Sequence, residues 1–118
     1  MISVTDKFFD FLLRDVFSNY IHSGVCEIHK DEVWEIFCDR VFNVNVIKDL
    51  SFIVGKWNFK INSKSLFRDV TMNQDKKKWF AVVYYQKYNQ WYISQNLFNS
   101  SIFVFNKETN SIGIFQNN

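Results

Sequence analysis

The chain has 118 residues, 47% of them hydrophobic and 19% aromatic, with a formal net charge of +2. That length fits one domain, residues 1–118, with a core of its own, and that composition excludes intrinsic disorder. The +2 conceals a division: nine acidic against five basic residues in 1–50 leave a local net of −4, and nine basic against three acidic in 51–118 leave +6. Such asymmetry speaks to partners rather than to fold.

The first element reads as a helix from about Thr5 to His22. Phe8, Phe9, Leu12, Leu13, Val16, Phe17, Tyr20 and Ile21 recur at three- and four-residue spacing as one apolar stripe. Ser3, Thr5 and Asp6 offer caps, Gly24 is a natural left-handed stop, and Asp10 and Arg14 pair at i,i+4. A second helix is predicted from about Lys30 to Phe42, burying Val33, Trp34, Phe37, Cys38 and Val41, with Asp31 and Glu32 in its first turn.

From Ser51 the period changes to two. Phe52 and Val54 alternate, then Trp57, Phe59 and Ile61 in the opposite phase, which predicts one strand bent by a bulge at Gly55-Lys56. Leu66–Thr71 reads as a weaker strand, Lys77–Gln86 as a central strand apolar on both faces, and Gln90–Phe98, Ile102–Phe105 and Ile112–Phe115 as further strands. The expected fold is α+β: two N-terminal helices on one face of a five- to six-stranded antiparallel meander sheet, helical and acidic over 1–50, sheet and basic over 51–118.

On the second predicted helix Asp31, Glu32, Glu35 and Asp39 fall within one outward quadrant, with Ile36 beside them as an apolar anchor. Uncompensated like charges suit a basic protein partner, with charge steering association; the plain alternative is a solvated face. The rival surface is basic: Lys76, Lys77 and Lys78 before Trp79, and Lys56, Lys60 and Lys64 around Trp57 and Phe59 could grip single-stranded nucleic acid, though lysines also guard strand edges. His22, Cys26, His29 and Cys38 form the one metal-like set, but it lacks paired Cys-x-x-Cys spacing, and two reduced, buried cysteines explain it more simply. The three glycines stand apart, so there is no phosphate loop, and no nucleophile–base pair can be argued from spacing; neither an enzyme nor a cofactor is expected. A ligand pocket between helices and a curved sheet is the alternative, with Tyr85, Tyr92 or His22 as its polar group. The longest apolar run, Trp79–Tyr85, is too short to span a bilayer, and the first residues lack signal-peptide character, so a cytoplasmic protein is expected.

The stretch Lys78–Tyr85 followed by Gln90–Asn96, within a small helix-then-sheet chain poor in cysteine, resembles the central hairpin of some bacterial immunity proteins. These are encoded beside toxins of contact-dependent growth inhibition systems or bacteriocins. The resemblance implies a stoichiometric inhibitor of one cognate toxin, usually a basic nuclease whose active site it occludes. A phage-encoded inhibitor of a bacterial defence complex would present a similar sequence.

Overall fold

Thr5 opens the first helix because its hydroxyl accepts the Phe8 backbone N–H at 3.3 Å. The computed structural model describes the backbone of residues 1–54, 57–93, 101–106 and 111–116, and the side chains of residues 1–51, 60–90 and 92. Strand β1 (Ile2–Ser3) leads into helix α1 (Asp6–Phe11), which passes through a π-turn (Leu12–Val16) into helix α2 (Ser18–His22). The apolar columns Phe8-Leu12-Val16-Tyr20 and Phe9-Leu13-Phe17-Ile21 repeat every four residues. On an ideal helix such a repeat drifts by roughly 40° per step. The π-turn absorbs the drift: the Phe17 N–H reaches back five residues to the Leu12 carbonyl at 2.8 Å, and Phe9, Leu12 and Phe17 all face the core. Gly24 then ends the segment at φ +85°, as expected of a left-handed stop.

The segment predicted as a second helix is a β-hairpin. Strands β2 (Cys26–Lys30) and β3 (Val33–Asp39) pair antiparallel around Asp31-Glu32, with Cys26 opposite Cys38 and Ile28 opposite Ile36. The same residues that fit a helical stripe also alternate. Trp34, Ile36 and Cys38 face the helix side, whereas Glu35, Phe37 and Asp39 face the reverse. Trp34, Ile36 and Phe37 are aromatic or β-branched and suit a strand. The cysteines are joined by a disulfide across this pairing, which corrects the expectation of two reduced thiols; the hairpin register sets them face to face.

Beyond a 3₁₀ turn at Val44–Val46, strands β4 (Leu50–Val54) and β5 (Trp57–Ile61) form a separate two-stranded sheet with Val54 paired to Trp57. The phase change is thus a reversal of direction and not a bulge in one strand. Residues 55–56 lie outside the described residues, but two residues suffice for such a connection. A second 3₁₀ turn (Ser63–Leu66) leads to β6 (Phe67–Met72), which pairs with β7 (Asp75–Tyr85) through Asn73-Gln74, both at positive φ as a tight hairpin requires. β7 is the central strand the sequence predicts. β3 lies along one edge; β6 and then β1, the latter parallel, lie along the other. Strands β8 (Trp91–Ile93), β9 (Ser101–Asn106) and β10 (Ser111–Gln116) complete an eight-stranded sheet, with β1 inserted between β7 and β8, so the sheet is not a simple meander. The rest of the predicted strand Gln90–Phe98, residues 94–98, lies outside the described residues.

The α+β expectation holds in this form: one interrupted helix on one face of a sheet. Its core is aromatic. Phe17 meets Phe80 at 4.9 Å between ring centroids, Phe80 meets Phe67 at 4.9 Å, and Trp34 meets Tyr84 at 5.5 Å. Burying such a ring contributes about 1.5–3 kcal/mol, with roughly 0.5–1.5 more from edge geometry. No helix is long and apolar enough to cross a membrane among the described residues.

Candidate functional site

The hairpin disperses the five residues read as one acidic face. Asp31 and Glu32 sit exposed in the β2–β3 turn, where the Glu32 carbonyl accepts the Gln86 N–H at 3.1 Å. Glu35 is half-buried opposite His29, and Asp39 holds Lys77 at 3.2 Å. Ile36 is fully buried, which removes it as a surface anchor. The cause is periodicity: spacing of four puts residues on one side of a helix, but on a strand only Glu35 and Asp39 share a face, and Ile36 points the other way.

The metal-like set is likewise rearranged. Cys26 and Cys38 are bonded to each other, His22 is exposed, and His29 contacts Glu27 at 3.3 Å and the Phe37 ring at 4.7 Å. Among the basic residues, Lys77 is engaged by Asp39 and lies 3.9 Å from Glu27, and Lys78 holds Asp69 at 3.2 Å. The hydrogen bond to Asp39, with the charges of Asp39, Glu27 and Asp75, holds the Lys77 ammonium above its ordinary range against the opposing effect of desolvation. Trp79 keeps its indole nitrogen inside, without a hydrogen-bond partner among the described residues. The side chains of Lys56, Trp57, Phe59 and Trp91 lie outside the described residues, and Lys60, Lys64 and Lys76 are exposed. Tyr85 and Tyr92 do come together, with Met1, Ser3, Tyr88 and Gln90, around an open hollow of about 240 Å³, and His22 is not part of it. Burial, and secondarily the charge of Arg68, pushes the Met1 ammonium below its ordinary range.

A groove that the charge pattern did not reveal runs between the helix and the segment before β4. One wall is Phe11, Asp15, Val16, Asn19 and Tyr20, the other is residues 46–51, and they enclose about 490 Å³. Both walls are held from behind. Tyr20 packs edge-on against Phe42 at 5.2 Å. The Asn43 side chain caps the Val44–Val46 turn by accepting the Asn45 N–H at 3.1 Å, and the buried Ser63 hydroxyl donates to the Lys48 carbonyl. Ile47 and Leu50 turn inward, which leaves Val46 45% exposed across from Phe11, 41% exposed. Asp15 and Asp49 stand on opposite walls, and neither has an ion-pair partner among the described residues; Arg14 is committed to Asp10 at 3.0 Å. Apolar side chains flanked by unpaired carboxylates suit a ligand segment that carries both an apolar group and a cation. The π-turn lies in the helical wall, and such turns recur at functional sites because they displace side chains from the regular helical row.

The sequence signal for this groove was faint. Phe11 stands outside the two apolar columns of the helix, and Val46 lies in a short Asn-rich stretch, so an exposed apolar residue on each side was the available hint. Comparison with protein-family models, with curated proteins and with solved structures found no match.

Proposed function

We propose that this chain is a protein-binding inhibitor, an immunity protein that neutralises a cognate bacterial toxin by stoichiometric binding. The observation that carries the reading is the Phe11–Val46 groove with its two carboxylates, which have no ion-pair partner among the described residues. Phe11 and Val46 would supply the apolar anchor expected near the centre of an interface. Asp15 and Asp49 would meet the cations with which a nuclease grips phosphate, and the acidic balance of residues 1–50 would steer the encounter. Asp31 and Glu32 would add to that steering from the hairpin turn. The protein would act without a cofactor or catalysis of its own. The tyrosine hollow at Tyr85 and Tyr92 supports the ligand-pocket alternative, but it is open and half the size of the groove.

The test is co-purification of the tagged chain with the products of its neighbouring reading frames, followed by substitution of the groove. A basic partner that is toxic alone should elute in equal amount. Phe11→Ala should then weaken the complex at least tenfold, about 1.4 kcal/mol, and joint reversal of Asp15 and Asp49 to lysine should slow association. All three residues are exposed, so the fold should be unaffected. Unchanged binding by these variants would remove the groove as the interface, and the absence of any partner would sink the inhibitor reading itself.

A further inference from the structure

Among the described residues strand β2 ends the eight-stranded sheet, and the direction of its outward backbone groups can be read from the ladder on its other side. The Asp39 N–H donates to the Val25 carbonyl at 2.9 Å, so residues 25 and 39 are a hydrogen-bonded pair. Pairs alternate along an antiparallel ladder, which makes Cys26–Cys38, Ile28–Ile36 and Lys30–Trp34 the non-hydrogen-bonded ones. The 4.0 Å Cα separation of Cys26 and Cys38 agrees, since non-hydrogen-bonded pairs approach more closely. The N–H and C=O groups of Cys26, Ile28 and Lys30 therefore point away from β3, out of the sheet edge. An edge of this kind is a template for another strand.

We propose that this edge pairs with the same strand of a second copy, antiparallel and centred on Ile28. In that register Ile28 bonds Ile28, and Cys26 and Lys30 bond each other's counterparts, about six backbone hydrogen bonds in all. Glu27 then stands directly opposite His29 of the second copy, twice by symmetry, in the closely spaced type of pair where opposite side chains interact best. Neighbouring registers with the same outward groups oppose Glu27 to Glu27, or His29 to His29 with Glu27 against Asp31, so charge selects the one centred on Ile28. Within each copy Glu27 already contacts His29 at 3.3 Å and lies 3.9 Å from Lys77, while Lys30 is drawn back over the Trp34 ring at 4.8 Å. The charges that guard an edge against foreign strands are here ordered so that they complement themselves. The Cys26–Cys38 bond ties this strand to its neighbour at one end of the edge. The proposal does not depend on the groove or on its partner.

Sedimentation equilibrium of the purified full chain tests it. The wild type should show a reversible dimer. Glu27→Lys and His29→Glu should each weaken self-association at least tenfold, because the first removes the carboxylate that faces His29 and the second opposes two carboxylates, and an equimolar mixture of the two variants should recover dimers by pairing Lys with Glu and His with Glu. Ile28→Pro should also abolish the dimer while circular dichroism stays native, since the N–H it removes is not part of the ladder with β3. A monomer up to about 1 mM, where even a weak interface would register, overturns the proposal. So does a dimer indifferent to all three substitutions, or a mixture no more associated than its components.

Discussion

Helix 6–22 and hairpin 26–39 are neighbouring segments of similar length, each with apolar residues at three- and four-residue spacing, yet they fold in opposite ways. In the helix the repeat runs through eight apolar residues in two unbroken columns, and no alternating pattern competes with it. In the hairpin the spacing of Trp34, Phe37, Cys38 and Val41 is matched equally well by the alternation of Trp34, Ile36 and Cys38. β7 decides between them. It carries seven consecutive apolar residues and needs hydrogen-bonded neighbours, and β3 supplies one along one edge in two stretches, Val33-Trp34 against Tyr84-Tyr85 and Ile36–Asp39 against Lys77–Phe80, with a register shift between them. Over a short segment, then, periodicity states which structures are allowed and the partner strand selects among them.

The largest perturbation of this contrast is expected at Phe17, where the helix meets the sheet. Phe17→Ala would empty a fully buried ring site beside Phe80 and Phe67 and cost about 3–5 kcal/mol, read as a lower urea midpoint with an unchanged slope. The hairpin has its own vulnerable point. Replacing Cys26 and Cys38 together by serine removes a link across 12 residues and should cost about 2–3 kcal/mol, with reduction of the wild type giving a similar shift. The smallest effect belongs to the helix start. Thr5→Ala removes the hydroxyl that accepts the Phe8 N–H and should cost about 1 kcal/mol by the same unfolding measurement, with the hairpin unaffected.

The residues themselves explain what could be read in advance. The helix with its Thr5 cap and Gly24 stop, the central place of β7 and the later strands were legible because each rests on local pattern or on a turn requirement. The hairpin had a signal too: Cys26-Glu27-Ile28-His29 alternates up to Lys30, and Asp31-Glu32 is a two-residue interval between Lys30 and Val33–Asp39. It was outweighed by the acidic quadrant, a pattern that exists only if the segment is helical. The groove left only a faint trace, because Phe11 and Val46 are 35 positions apart and come to line one groove only when Ser63 and Asn43 hold the loop that carries Val46.

By itself, the sequence determined the α+β class, the helix that carries the core stripe, and the apolar strand at the centre of the sheet. Apolar spacing and capping are short-range properties that act before the chain has closed on itself. The tertiary structure alone decided that the acidic segment would be a hairpin, that two cysteines would meet across it, and which apolar side chains would stay in contact with solvent. Those outcomes depend on which strand edge needs a partner and which loop is pinned against it, and both are set by contacts between residues distant in the chain.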